Sequence, residues 1–305
     1  MPMNIGIFSS TSDITIDGFV AEARQVERDG FHSYWMAQIF GADALTALAV
    51  VGREVPRIEL GTSVVPTYPR HPMMLAQQAL TANAASGGRL CLGIGLSHQV
   101  VIEGMLGMSF DKPVRHMREY LSILMPLIES GQVSFAGETL TTHATIQVGG
   151  AEKCGVVVAA LGAQMLKLAA ARTDGTLTWC TGPQTLQSHI VPTINAAADA
   201  LGRPKPRVIA ALPVCVTDDV AGARTRAAQI FAVYGQLPSY RAMLDHEGVD
   251  GPADIAIVGS SAEVTDRIAG LADIGVTDVA AAEFGANPDE VAATRAAVKA
   301  CLSAR

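Results

Sequence analysis

The stretch that decides the fold is Ile58–Ser97, IELGTSVVPTYPRHPMMLAQQALTANAASGGRLCLGIGLS. It reads as strand, turn, helix, turn, strand. Ile58–Val65 is an apolar strand, and Pro72 opens a helix with Leu75, Ala79 and Ala82 on its inner face. Gly87-Gly88 ends that helix, and Arg89–Ile94 forms the next strand. Small and polar residues, Thr62 and Ser63 after one strand and Gly93, Gly95, Ser97 and His98 after the other, sit at the strand ends. In a parallel α/β barrel, chemistry is done at those carboxyl ends.

The same unit repeats along the chain. Further strands are expected at Asn4–Phe8, Ser33–Ala37, Gly155–Ala159, Gly175–Trp179, Arg207–Val216 and Val276–Ala281. Helices separate them: one capped by Asp17 and stopped by Gly30, Ala42–Arg53, Gly162–Ala171, and one from Pro183 to Gly202. Asp218 caps a long helical region, with further helix to His246, and Ile255–Val258 is a short strand or turn. Ser260–Glu263 and Asn287–Glu290 open the last two helices as capping boxes. Eight strand–helix units without an internal linker predict a (β/α)8 barrel, with a doubly wound open sheet as the alternative. Residues 97 to 150 exceed a minimal barrel and read as an insertion after strand four: a long loop, a helix from Pro113 to Gly131, and two or three short strands around Gly137. The whole chain, 1–305, is read as one domain.

Composition narrows the function. The chain is 49% hydrophobic, 17% charged and carries a formal net charge of −7. That balance argues against nucleic acid and anionic membranes as partners. The five cysteines lack CxxC spacing and read as buried thiols. The start MPMNIGIFSS enters a strand directly, with no leader-like segment, so a cytoplasmic location is expected. No HExxH, HxH or paired carboxylates at ligand spacing occur, so no metal site is expected; GxSxG is absent too. Gly93-Ile94-Gly95 lacks the third glycine of a dinucleotide fingerprint, position 98 being His.

Other residues carry two readings each. Leu161–Gln164 and Thr181–Pro183 begin helices after strands five and six, where free amides and a glycine suit a phosphate, or simply make a βα turn. His98 is either a proton donor or substrate anchor, or it holds the long loop. Gln38 can orient a ligand, and Trp179 either walls an aromatic pocket or belongs to the core. His71 reads as a loop or helix-start residue, with contact to the site as the alternative, and His116 as structural. Glu283 is a site carboxylate or a salt-bridged structural one.

Taken together, NIGIF, LGTSV with the following HPMMLAQQ, GGRLCLGIGLSH, DKPVRHMREYL, ALGAQMLKLAAARTDGTLTW and VGSSAEVTDRIAGLADIGVTDV resemble the luciferase-like monooxygenase superfamily, and most closely its branch dependent on the deazaflavin coenzyme F420. The resemblance implies a (β/α)8 barrel, a homodimer, and a deazaflavin ring at the carboxyl ends of the strands. It implies a non-prolyl cis bond at Ser63–Val64 behind the ring. Gly95, Leu96, Ser97 and His98 would line the ring and substrate space; Gly162, Ala163, Gln164 and Gly182 would hold the phosphate. Gln38, Thr62 and Trp179 complete the expected contacts. Ala37-Gln38 and His98 stand where some members carry an acidic–His pair and a glutamate, which argues against the sugar-phosphate dehydrogenases of the family and for a reductase acting on a small organic molecule. An FMN-dependent monooxygenase or reductase, and a non-catalytic F420-binding protein, are the alternatives.

Overall fold

The computed structural model describes residues 3–9 and 14–302. Eight parallel strands close on themselves: β1 (Asn4–Ser9), β2 (Ser33–Met36), β3 (Glu59–Thr62, resumed at Val65–Pro66), β4 (Leu90–Gly95), β5 (Gly155–Ala159), β6 (Gly175–Trp179), β7 (Arg207–Val216) and β8 (Asp278–Glu283). Each pairs with the next, and β8 returns to β1 with Val279 opposite Ile5. The open-sheet alternative is thereby excluded. The longer helices are α1 (Ile16–Asp29), α2 (Ala44–Glu54), α3 (Pro72–Ala85), α4 (Pro113–Ser130), α5 (Ala163–Arg172), α6 (Pro183–Thr185, a π-helical stretch Leu186–Ile190, then Val191–Asp199), α7 (Val220–Ile230), α8 (Pro238–Glu247), α9 (Ser261–Asp273) and α10 (Pro288–Ala300), with a single helical turn at Pro252–Ile255.

Two apolar layers follow from strand alternation. The larger lies between strands and helices, where Phe19, Leu48, Leu75, Leu121, Leu166, Ile194 and Ile268 are buried. The other draws on six strands and no helix: Trp35, Cys91, Val157, Leu177, Ile209, Ala211 and Ala280 fill the barrel. Arg207, at the start of β7, closes the amino end of that interior. Its guanidinium donates to Glu59 at 2.9 and 3.0 Å and to Asp278 at 2.7 and 3.3 Å. The opposite end of the interior is finished by half-buried Phe8, Val64 and Trp179.

Local details differ from expectation where a nearer donor or acceptor wins. Thr15, not Asp17, caps α1, its hydroxyl accepting from the Gly18 amide at 3.1 Å. Asp219 rather than Asp218 caps α7. That helical region breaks at Phe231, turns through Ala232–Gly235 and restarts as α8. Ser260 and Glu263 form the expected capping box. Asn287 caps α10, but the Glu290 carboxylate is drawn away to Thr217, Arg226 and the Ala286 amide. The strand-or-turn at Ile255–Val258 is a short strand, Ile257–Gly259, parallel to β7.

The insertion between β4 and β5 contains a π-helical turn (Val100–Met105), α4 and one antiparallel hairpin, Gln132–Ala136 with Thr141–Thr145. Glu119 of α4 ties the hairpin's turn, accepting from the Glu138, Thr139 and Leu140 amides and the Thr139 hydroxyl at 2.7–3.0 Å. No helix among the described residues is long and apolar enough to cross a membrane.

Candidate active site

The carboxyl end of the barrel is organised by a defect in β3. Gly61 lies opposite Cys91, but Val65 lies opposite Ile94, so Thr62, Ser63 and Val64 face two residues of β4. This is a bulge. The Ser63–Val64 peptide within it is cis, as the family resemblance implies. The Thr62 side chain replaces the ladder that the bulge interrupts: its hydroxyl donates to Gly93 O at 2.8 Å and accepts from Gly93 N at 2.9 Å. Thr62 is fully buried, so its hydroxyl is committed to β4 rather than offered to a ligand.

The bulge turns Val64 onto the barrel interior beside Phe8 and Trp179. A Cβ at Gly95 would stand 2.6 Å from Val64 Cγ2 and 3.3 Å from Ala159 Cβ, so only glycine fits between β3 and β5. A Cβ at Gly93 would collide with the Thr62 carbonyl. Past Gly95 the chain turns sharply at Ser97, whose φ is +61°, and the His98 carbonyl accepts the Val101 and Ile102 amides, both at 2.9 Å. Leu96, Ser97 and His98 are all half-buried. Burial lowers the His98 imidazole below its ordinary value, so the ring is neutral at pH 7.

Over this floor lies an aromatic layer. Trp179 stacks on Phe8, with ring centroids 4.9 Å apart and planes 16° from parallel. Its edges meet Phe231 at 5.7 Å and Tyr234 at 5.8 Å. Tyr234 meets Tyr240 at 5.1 Å, and Tyr240 reaches the His98 ring at 5.7 Å. Burial raises both tyrosines above the ordinary phenol value. The Tyr240 hydroxyl has no hydrogen-bond partner among the described residues. Trp179 therefore serves both readings, finishing the core and walling the mouth. Sequence reasoning missed Phe8, Phe231, Tyr234 and Tyr240; the available signal was three aromatic residues within ten positions of a chain only 5% aromatic.

The two expected anion-binding helix starts are not equivalent. At α5, Gly162 has open space where a Cβ would stand, and no side chain caps the first turn. Its amides, including those of Ala163 and Gln164, are available to an anion. At α6 the position is taken. Glu247, from the end of α8, accepts from the Gln184 amide at 3.1 Å and from the Thr185 amide and hydroxyl at 2.7 Å. A Cβ on Gly182 would collide with that carboxylate. Gly182 is thus the seat of an internal anion in this structure, and Gly162–Gln164 is the start left open.

Four further residues have structural duties. Gln38 Oε1 accepts from the Ala44 amide at 2.8 Å and organises the entry to α2. Glu283 is paired with Arg295 at 2.6 and 2.7 Å. His71 caps α3. His116 stacks on Tyr68, with centroids 3.9 Å apart, and contacts Thr67 Oγ1 at 3.0 Å. All five cysteines are free and buried. No cluster of His, Cys, Asp and Glu among the described residues could hold a metal ion.

Comparison with known proteins adds identity to this geometry. Residues 3–278 match the family model for luciferase-like monooxygenase. The chain is 29% identical over 304 residues to 5,10-methylenetetrahydromethanopterin reductase of Methanolobus tindarius, covering 88% of this chain and 91% of that protein. It is 31% identical over 287 residues to a Mycobacterium tuberculosis protein provisionally named a coenzyme F420-dependent oxidoreductase, covering 87% and 79%. Among solved structures, the coenzyme F420-dependent tetrahydromethanopterin reductase of Methanopyrus kandleri superposes with a TM-score of 0.82 at 21% identity over 98% of each chain. The FMN-bound oxygenating constituent of 3,6-diketocamphane monooxygenase from Pseudomonas putida superposes at 0.75 with 16% identity, over 98% and 96%.

Proposed function

We propose that this chain, which belongs to the luciferase-like monooxygenase family, is an F420-dependent oxidoreductase acting as a reductase on a small organic acceptor. The observation that carries the reading is a grouping at the carboxyl ends of the strands: an apolar floor of Val64, Phe8 and Trp179, a wall thinned to glycine at Gly95 beside Val64 and Ala159, and the open helix start at Gly162–Gln164 that follows β5. A flat tricyclic ring with a phosphate-bearing tail fits that combination. Val64 and Gly95 would back the ring, and the α5 amides would hold the phosphate. When bound in reduced form, F420 supplies a hydride.

The remaining work falls to the chain's own residues. Trp179, Phe231 and Tyr234 exclude water from the mouth and orient an acceptor by its faces. A neutral His98 with its contact Tyr240 can hold a proton near the acceptor and donate a hydrogen bond to its oxygen. Charged groups on the elements that carry these rings are engaged elsewhere: Glu103 with Gln99, Arg241 with Asp245, Glu247 with α6, and Glu283 with Arg295. The rings that line the mouth, Trp179, Phe231, Tyr234 and Tyr240, suit an uncharged acceptor. A homodimer belongs to the same reading, and light scattering tests it.

The deciding experiment titrates the purified protein separately with F420 and FMN, following cofactor fluorescence. F420 binding with turnover of an acceptor supports the reading. Binding of FMN alone replaces it with the flavin-dependent alternative, and tight F420 binding with no turnover on any acceptor favours a storage or carrier role. Gly162→Asp should weaken binding of either cofactor by repulsion at the phosphate.

A further inference from the structure

We propose that a basic cleft between α4 and α5 holds the carboxylates at the far end of the cofactor's tail, so that this protein selects a deazaflavin with an anionic, glutamate-bearing tail over one that lacks it. The inference rests on the preceding reading for the ring, and deepens it. The cleft, about 270 Å³, is lined by Lys112, Arg115 and Arg118 at the start of α4, with Pro113 and Val114, and by Gln164 of α5. Gln164 belongs both to this cleft and to the open first turn assigned to the phosphate. A chain leaving that phosphate away from the barrel mouth passes into the cleft.

The charge there runs against the rest of the molecule. The protein is acidic, at −7, yet three cations converge on this one groove. Lys112 and Arg118 are exposed and have no ion pair among the described residues. Arg115 is paired with Glu138 of the hairpin. Asp111 and Glu103 keep their charge close by, hydrogen-bonded to Ser109 Oγ at 2.8 Å and to Gln99 and the Phe110 amide, but neither lines the groove. Lys112 is held in the left-handed region, φ +48°, immediately before Pro113 opens α4. Both free cations therefore sit on a fixed helix start rather than on a loose loop. FMN ends at its phosphate and has nothing to place in the groove.

The test uses three deazaflavins with one chromophore: the tail-less riboflavin-like form, the phospholactyl form without glutamate, and F420 with several glutamates. Each is titrated by fluorescence into the wild type and into Lys112→Glu/Arg118→Glu. The wild type should bind the glutamate-bearing form about fivefold to tenfold more tightly than the phospholactyl form, as expected for two or three exposed ion pairs. That gap should close near 1 M salt, where screening shortens to about 3 Å. The double variant should lose the gap while binding the tail-less form as the wild type does. Equal wild-type affinity for the two phosphorylated forms would overturn the proposal, as would an equal loss for all three ligands in the variant. Failure of every deazaflavin to bind would instead remove the ring assignment on which it rests.

Discussion

Thr62→Val isolates the device that lets β3 bulge. The substitution keeps shape and volume while removing one hydroxyl that satisfies both Gly93 N and Gly93 O, at 2.9 and 2.8 Å, in a fully buried position. Each lost hydrogen bond contributes about 1 kcal/mol, and an orphaned buried donor or acceptor costs about 1–3 kcal/mol. Partial relaxation of the bulge recovers some of this, so a net loss of about 2–4 kcal/mol is expected. Thr62→Ser keeps the hydroxyl and deletes one methyl group, and should lose only about 1 kcal/mol. Urea unfolding of the three proteins measures the ranking. Amide exchange at Gly93 should accelerate in the Val variant alone. A Val variant within about 0.5 kcal/mol of wild type, or Ser and Val variants equally destabilised, would refute the idea that this hydroxyl stands in for the missing ladder.

Other outcomes follow from the same structure. Gly95→Ala should cost about 1–3 kcal/mol by pressing Val64 and Ala159 apart, whereas Gly162→Ala, facing open space at φ −75°, should leave thermal stability unchanged. Arg207→Ala strands Asp278, whose side chain is 2% exposed, and should cost about 3–5 kcal/mol in urea unfolding. Burial lowers His116 to about 4, so the unfolded state protonates first: stability should fall as pH drops from 6.5 towards 4, by about 1–2 kcal/mol after allowing for solvent contact, and His116→Gln should abolish that segment. Burial opposes the ionised form of Glu119, but its hydrogen bonds outweigh this and hold it at about 2; its contribution is present above about pH 4.5 and is lost on further acidification, read as hairpin amide exchange. Because burial lowers His98, kcat/KM should be flat above pH 6.5 and decline only below it; a decline on raising the pH through 6.5 would mean that protonated His98 is required.

The eight strands were legible because each is a short apolar run bounded by Gly, Pro or a cap, and because eight such units admit little except a closed barrel. Register was not legible. Nothing in Thr62-Ser63-Val64 announces that three residues face two; that depends on which β4 atoms the Thr62 hydroxyl meets. Helix starts were legible as chemistry but not as occupancy. Gly162 and Gly182 look alike in sequence, and only the fold brings Glu247, more than sixty positions downstream, onto one of them. Asp17 and Asp218 were plausible caps, each displaced by a neighbour with the correct backbone geometry. The aromatic layer was invisible for the same reason as Glu247: Phe8, Trp179 and Tyr240 are far apart in the chain and meet only when the barrel closes.

Helix α8 carries Tyr240 near its start and Glu247 at its end. One short segment thus touches the rim beside His98 and also neutralises the amides at α6. These two properties are inherited together. A lineage that exchanged this segment would alter what the mouth admits and, in the same step, change from one open anion seat to two. Diversification of the barrel here is therefore modular but not independent: a new acceptor specificity arrives coupled to a new grip on the tail, and selection acts on the pair.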